Sequence, residues 1–174
     1  MFLQKYKIVI GGTLGAGKIN AIQSLSKTSV LSIESINIDS PSTPQSLNRV
    51  LIDYGEVQLD EGVVVGLYAT PTDHIDYIGA KLCADAIGAV ILIDHTQKTS
   101  IEDLEMYADS FKNHVDNILV GITHTDQDPQ QLLKKYRNWL SMRDESIPLF
   151  AVDTRRKDDV LMMIQALIAR ADVD

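Results

Sequence analysis

The residues that could do chemistry lie near the start of the chain, in the glycine-rich segment GGTLGAGKIN (residues 11–20). Gly12, Gly17 and Lys18 have the spacing Gly-x-x-x-x-Gly-Lys of a loop that cradles phosphate groups. Glycines allow successive backbone N–H groups to turn towards an anion, and the lysine adds a point charge. The motif continues with Ser or Thr, whose hydroxyl binds Mg²⁺, but this sequence has Ile19. The segment therefore predicts a phosphate-binding loop that lacks one metal ligand.

Such a loop requires a strand before it and a helix after it, and the flanking sequence predicts both. Residues 4–10 contain a short apolar run typical of a strand, and residues 18–27 are predicted as a helix whose N-terminus attracts anions. The other predicted strands cover residues 50–59, 63–68, 89–94, 117–122 and 148–152. The other predicted helices cover residues 73–86, 100–113 (with Ser100 as its cap), 129–140 and 157–171. Residues 28–48, rich in Ser, Thr, Pro and Asn, are predicted as a long loop.

Strands that alternate with helices are typical of a three-layer, doubly wound α/β fold. We expect one domain over residues 1–174, with a mainly parallel six-stranded sheet and one antiparallel edge strand from the hairpin. Ligands of such sheets bind beyond the carboxyl ends of the strands. The glycine-rich loop and the segments 69–73, 123–126 and 152–155 are all predicted at that edge.

The composition limits the kinds of partner. The 174 residues include 24 acidic and 16 basic side chains, a net charge of −8, so we expect no nucleic-acid partner. No long apolar run predicts a transmembrane segment. The first residues lack the features of a secretion signal and Cys83 is the single cysteine, so we expect a cytoplasmic protein. The histidines show no metal-site spacing, and no metal site is predicted.

With these motifs in place, the chain resembles a Ras-like small GTPase, which has a P-loop NTPase fold. It is most similar to the bacterial branch of short Ras-like proteins that often partner roadblock-type dimers, and the likeness covers nearly the whole chain. The resemblance implies GTP or GDP as the ligand, and a roadblock-type dimer or an activating protein as the partner. It implies that Lys18 holds the β- and γ-phosphates. The other implied nucleotide-binding residues of the loop are Gly12, Gly15, Ala16, Gly17, Ile19 and Asn20.

Two later segments correspond to the base-binding motifs of this family. The bacterial branch often reads the base with Thr-His-x-Asp, which here is Thr123-His124-Thr125-Asp126. The resemblance implies that Asp126 accepts hydrogen bonds from the ring N–H and the exocyclic amine of guanine, while His124 packs beside the base. The loop that closes over the base corresponds to Asp153, Thr154 and Arg155.

The two switch regions of the family are degenerate in this sequence. Asn48 and Arg49 stand where threonines are expected, and Thr70-Pro71-Thr72-Asp73 replaces Thr-Pro-Gly-Gln. Thr72 is thus at the position of the glycine that contacts the γ-phosphate, and Asp73 at that of the glutamine that orients water. Metal ligation and water positioning supply much of the rate of phosphoryl transfer. The resemblance therefore makes Mg²⁺ a doubtful cofactor and GTP hydrolysis weak, with Asp73 as the candidate catalytic position.

Three functional hypotheses follow from these residues. The first is a guanine-nucleotide-binding switch or scaffold whose GTP hydrolysis is slow or depends on a helper protein. The second is a pseudo-GTPase, a protein-interaction module whose nucleotide site is empty or permanently occupied. The third is an ATP-using P-loop enzyme, for which Asp94 is the candidate catalytic acidic residue at the end of an apolar strand; Asp126 favours guanine instead.

Overall fold

The predicted elements assemble around one central sheet. The structure is a computed structural model that describes residues 4–26, 31–34, 51–60, 62–71, 75–125, 129–143 and 145–172. Its strands are β1 (Gln4–Gly12), β2 (Leu31–Glu34), β3 (Leu51–Asp60), β4 (Val63–Ala69), β5 (Gly88–Asp94), β6 (Ile118–Thr123) and β7 (Leu149–Ala151). Its helices are α1 (Lys18–Leu25), α2 (Ile75–Cys83), α3 (Ser100–Lys112), α4 (Pro129–Met142) and α5 (Lys157–Ala171).

In the described part of the chain, the sheet has the strand order β2-β3-β4-β1-β5-β6-β7. β1 pairs in parallel with β4 and β5, and β6 pairs in parallel with β5 and β7. β3 is antiparallel to both of its neighbours, β2 and β4. The predicted fold class, a mainly parallel α/β sheet with one antiparallel strand, is confirmed.

β2 is an addition to the six predicted strands. Residues 31–34 pair antiparallel with Leu51–Tyr54 of β3, so the antiparallel strand β3 lies one position in from the edge. The prediction of a loop throughout residues 28–48 was therefore wrong at these four residues. They alternate apolar Leu31 and Ile33 with polar Ser32 and Glu34, but four residues are too few to stand out against the Ser- and Pro-rich sequence around them.

Helices cover both faces of the sheet, which makes three layers. One apolar core lies between the sheet and α1 and α5, and the other lies between the sheet and α2, α3 and α4. Every residue of β5 is buried, and its alternate side chains enter the two cores. A central strand that is covered on both faces has a continuous apolar sequence, and its position can therefore be predicted from the sequence.

Most helix bounds agree with the sequence prediction, and α5 has the predicted bounds. The N-cap of α3 is Thr99, and Ser100 is its first helical residue, so the predicted capping role of Ser100 was wrong. The buried Ser100 hydroxyl instead accepts a hydrogen bond from Lys135 of α4 at 2.8 Å. None of the helices described here combines the length and apolarity needed to cross a membrane.

Candidate functional site

The glycine-rich loop connects the central strand β1 to α1 at the carboxyl edge of the sheet. Gly12 ends β1 and Gly17 is the N-cap of α1, with no side chain capping that helix. Gly12, Gly15 and Gly17 all have positive φ values, of 140°, 83° and 99°. These backbone conformations are open to glycine and strained for other residues. The loop is thus built as the sequence motif requires.

Two of these glycines also lie against neighbouring parts of the structure. A Cβ atom on Gly12 would lie 2.3 Å from the backbone oxygen of Leu92 in β5. A Cβ atom on Gly17 would lie 2.3 Å from the hydroxyl of Thr154. The loop is therefore held between the end of β5 and the segment after β7.

Lys18 lies under this loop and is only 9% exposed. Its Nζ donates hydrogen bonds to the backbone oxygens of Gly12 and, at 3.0 Å, of Thr13. The Gly12 oxygen also accepts a hydrogen bond at 2.9 Å from the hydroxyl of Tyr107, a fully buried residue of α3. These contacts hold the ammonium against the backbone of the glycine-rich loop. Tyr107 was not identified from the sequence, because its contact links residues 95 positions apart.

The remaining residues predicted to hold phosphate lie in the loop itself and in the first turn of α1. Ala16 is fully buried and Gly15 is exposed. Ile19 and Asn20 are both exposed on the first turn of the helix.

Buried hydroxyl groups occur beside the loop. Thr70 is 2% exposed, and its backbone N–H donates to the oxygen of Ile10 in β1 at 2.8 Å. The hydroxyls of Thr70 and of Thr13 are buried and have no hydrogen-bond partner among the described residues. Buried polar atoms without a partner indicate a place for water or a polar ligand. Pro71 is half-buried, whereas the predicted switch residues Asn48, Arg49, Thr72 and Asp73 lie outside the described residues.

The magnesium ion that the motif implies does not fit the first turn of α1. Ile19 is 46% exposed and presents an apolar side chain where the motif supplies a hydroxyl ligand. Leu14, at the tip of the loop, is 82% exposed and is also apolar. No group of three or more His, Cys, Asp or Glu side chains among the described residues could hold a metal ion. Hard cations such as Mg²⁺ require oxygen ligands, and Ile19 offers none.

A cavity of about 690 Å³ adjoins the loop. It reaches Gly17 and Asn20, so it begins where the loop ends. Its volume is within the range of small-molecule sites, about 300–1,000 Å³. The remaining lining residues come from the segments after β6 and β7 and from two helix starts: Thr123, His124, Thr125, Pro129, Ala151, Val152, Asp153, Thr154, Arg155, Arg156 and Asp159.

The segment after β6 places His124 on the cavity. His124 has a positive φ of 60°, and its side chain is 48% exposed. Its Nδ1 lies 3.1 Å from the hydroxyl oxygen of Thr123 and 3.3 Å from a carboxylate oxygen of Asp94. Thr123 itself is buried, and its hydroxyl donates to the oxygen of Ile93 at 3.2 Å. The predicted base-reading residue Asp126 lies outside the described residues.

The carboxylate of Asp94, at the end of β5, is buried and accepts several hydrogen bonds. Thr96 donates to it from its backbone N–H at 2.9 Å and from its hydroxyl at 2.7 Å, and Gln97 donates at 3.1 Å. Burial by itself would raise the pKa of Asp94, but these hydrogen bonds and nearby His124 outweigh it and lower the pKa. These hydrogen bonds hold the carboxylate in place and favour its ionised form. The hypothesis that Asp94 is the catalytic acidic residue of an ATP-using enzyme stays a prediction from the sequence.

The segment after β7 forms the opposite wall of the cavity. The Asp153 carboxylate accepts hydrogen bonds from Arg155, at 2.7 and 2.9 Å from its guanidinium and 3.0 Å from its backbone N–H. These bonds lower the pKa of Asp153 to about 2. Thr154 is buried and faces Gly17. The structure thus brings residues 153–155 together with Thr123, His124 and the end of the phosphate loop.

No known protein family matches the sequence, and no curated protein is similar to it in sequence. Solved structures nevertheless share its fold. Era from Aquifex aeolicus, bound to GDP·AlF4⁻, has a TM-score of 0.68 at 17% identity over 95% of this chain and 57% of that chain. The G domain of the FeoB iron transporter from T. maritima has a TM-score of 0.62 at 16% identity, over 97% of this chain and 99% of that one.

A third similar structure is the elongation factor SelB from Methanococcus maripaludis, in complex with the GTP analogue GppNHp. Its TM-score is 0.62 at 18% identity, over 100% of this chain and 35% of SelB. The chain therefore spans little more than half of the Era chain and about a third of SelB. At these identities the likeness establishes the fold, that of a P-loop GTPase domain.

Proposed function

We propose that this chain is a guanine-nucleotide-binding, Ras-like protein of the bacterial branch, which acts in the cytoplasm as a switch or scaffold. The observation that carries the proposal is the continuity of two sites. The phosphate loop, with the buried Lys18 beneath it, ends at Gly17 in the same cavity that residues 123–125 and 151–156 line. The fold neighbours described with GDP·AlF4⁻ and with a GTP analogue support the choice of ligand class.

Different residues are proposed to bind the phosphates, the nucleoside and the guanine base. The backbone amides of residues 15–20 would surround the phosphates, and Lys18 would neutralise the outer ones. The nucleoside would occupy the cavity between His124 and the segment 153–155. Asp126 would distinguish guanine from adenine, because its carboxylate accepts from two N–H groups that guanine offers together.

Hydrolysis is proposed to be weak, or to depend on groups from a protein partner. Ile19 supplies no metal ligand, and Thr72 and Asp73 replace the glycine and glutamine of the second switch. Phosphoryl transfer depends on metal ions and a positioned water for most of its rate. A roadblock-type dimer or an activating protein is the partner proposed to supply what is missing.

The second candidate is a pseudo-GTPase that acts only as an interaction module. The exposed apolar side chains of Leu14 and Ile19, both at the phosphate loop, favour it. Fluorescent GDP, GTP and ADP titrated into the purified protein separate the two candidates. Saturable binding of the guanine nucleotides, at least tenfold tighter than ADP, is the expected result (about 1.4 kcal/mol). No binding, and no nucleotide released on denaturation, would leave only the second candidate.

Asp126→Asn tests the proposed reading of guanine. Loss of the charged acceptor is expected to weaken GDP binding by about 10- to 100-fold, since hydrogen bonds to charged groups contribute about 1.5–3 kcal/mol. The same variant should bind xanthosine diphosphate more tightly than the parent protein does, because xanthine has a carbonyl in place of the amine. Asp128→Asn, which removes an equal charge two residues away, is the matched control. Equal nucleotide preference in both variants would contradict the assignment.

Ile19→Ser tests the absence of the metal ligand. In the parent protein, GDP affinity is expected to change less than about twofold when Mg²⁺ is chelated, because Ile19 offers no oxygen. The serine variant should gain affinity about tenfold in Mg²⁺ and lose the gain on chelation (about 1.4 kcal/mol). Ile19→Ala controls for the smaller side chain and should stay insensitive to Mg²⁺. A parent protein that releases GDP on chelation would show that other residues hold the ion.

A further inference from the structure

Asp94 and His124 meet because their strands are neighbours that end side by side. In the parallel pair β5 and β6, Asp94 is in register with Thr123, and His124 is the next residue. Asp94 is 6% exposed, and its carboxylate is held by Thr96 and Gln97. The acid is thus a fixed group behind the imidazole, whereas the imidazole lines the cavity.

The atoms around Nδ1 of His124 determine where the imidazole carries its proton. The hydroxyl of Thr123 lies 3.1 Å from Nδ1 and 3.2 Å from the backbone oxygen of Ile93, to which it donates. The Asp94 oxygen at 3.3 Å belongs to an ionised carboxylate whose pKa is lowered. A carboxylate oxygen can only accept a hydrogen bond, so it favours a hydrogen on Nδ1. In the neutral form of such a ring, Nε2 keeps its lone pair.

The backbone of His124 lies in the left-handed region, with a φ of 60°. Histidine is one of the few non-glycine residues that are enriched there. The half-exposed ring is not held by burial. Its Nδ1 side faces Asp94 and Thr123, and the ring lines the cavity.

We infer that Asp94 is a positioning residue for the nucleotide cavity, which with Thr123 fixes His124 so that Nε2 presents a hydrogen-bond acceptor to a hydroxyl or amine of the bound nucleoside. The inference rests on the proposed function for the identity of the ligand. The orientation of the His124 ring towards Asp94 rests on the structure alone. Asp94 acts through His124 and has no contact of its own with the ligand.

Histidine ¹⁵N–¹H correlation spectra of the ligand-free protein test the first half of this inference. His124 is expected to be mainly the Nδ1–H tautomer in the parent protein, and to shift towards the commoner Nε2–H form in Asp94→Ala, which removes the acceptor. Thr123→Val, which removes the other oxygen and keeps the shape, should shift it in the same direction. Asp116→Ala, the same substitution two residues before the start of β6, is the control and should leave the tautomer unchanged. Unchanged tautomers in both site variants would overturn the inference.

A double-mutant cycle on GDP affinity tests the second half. Asp94→Ala and His124→Asn are each expected to weaken binding by about five- to tenfold, and the double variant no more than His124→Asn alone. Asparagine tolerates the left-handed backbone of position 124. Additive losses would show that Asp94 acts independently of His124 and would overturn the inference. If the parent protein binds no guanine nucleotide, the proposed function fails, while the spectra still decide whether Asp94 fixes the ring.

Discussion

Gly12→Ala is expected to lower the free energy of unfolding by about 4 kcal/mol, whereas Gly15→Ala should lower it by about 1 kcal/mol. Both glycines have positive φ, so both substitutions bring backbone strain. Only the Gly12 variant also brings a collision, because its Cβ would lie 2.3 Å from the backbone oxygen of Leu92. Beyond the two chain neighbours of Gly15, no atom of the described residues lies within 4 Å of the added carbon.

The collision at Gly12 cannot be relieved by a side-chain rotation. Leu92 is fully buried in β5 and is paired in register with Gly12 itself, so moving its backbone would disturb the pairing of the central strands. Urea unfolding of the ligand-free variants, followed by far-ultraviolet circular dichroism, measures the difference. Equal losses in the two variants would contradict the packing described for β1 and β5.

If Gly12→Ala does not fold, Gly17→Ala provides a milder comparison. Its Cβ would meet the hydroxyl of Thr154, which is a side-chain atom. Truncating the neighbour in Gly17→Ala/Thr154→Ala should therefore recover part of the lost stability, since the φ of 99° would remain the main penalty. No recovery would show that the strain, and not the contact, accounts for the loss.

The sequence predicted the fold best where burial or backbone geometry limits the residue types at a series of nearby positions. β5 is buried on both faces and is therefore apolar from Ala89 to Ile93. α5 presents Val160, Ile164 and Leu167 to the core at helical spacing, and its bounds were predicted correctly. The glycine-rich loop between β1 and α1 was recognisable because the motif requires glycines at fixed positions between a strand and a helix.

Features that depend on pairing between distant segments were not predictable in the same way. β2 is recognisable only beside β3, which supplies its hydrogen-bond partners. The contact of Asp94 with His124 requires knowledge that β5 and β6 are adjacent and in register. Asp94 ends an apolar strand, which made it a candidate site residue. The sequence alone does not show that His124 lies next to it in the fold.

The exposure of apolar side chains at the glycine-rich loop was predictable only in part from the sequence. The identity of Ile19 was informative by itself, because the motif specifies that position. Leu14 occupies a position that the motif leaves free, so its exposure of 82% could be learned only from the folded loop. The roles of Asp126 and of the switch residues Thr72 and Asp73 stay predictions from the sequence.

Lys18→Met is expected to weaken the binding of GDP by more than about 100-fold while changing the free energy of unfolding by no more than about 1 kcal/mol. The methionine keeps much of the volume of the buried side chain and removes only its charge and donors. Charge-assisted hydrogen bonds contribute about 1.5–3 kcal/mol each, so loss of the phosphate contacts accounts for the expected decrease. Fluorescent GDP titration and urea unfolding measure the two quantities on the same preparation.

The small effect on stability follows from the other contacts of the loop. Without the ammonium, the Gly12 oxygen keeps the hydrogen bond from the buried Tyr107 hydroxyl. The Thr13 oxygen keeps the one from the backbone N–H of Ala16 at 3.2 Å, so both carbonyls that Lys18 contacts remain satisfied. Lys98→Met, which removes an equal charge from an exposed turn, is the matched control and should change neither quantity measurably. A Lys18→Met protein that unfolds like the parent and still binds GDP as tightly would remove the central residue of the proposed phosphate site. One that loses affinity with unchanged stability would assign that residue a role in binding and not in folding.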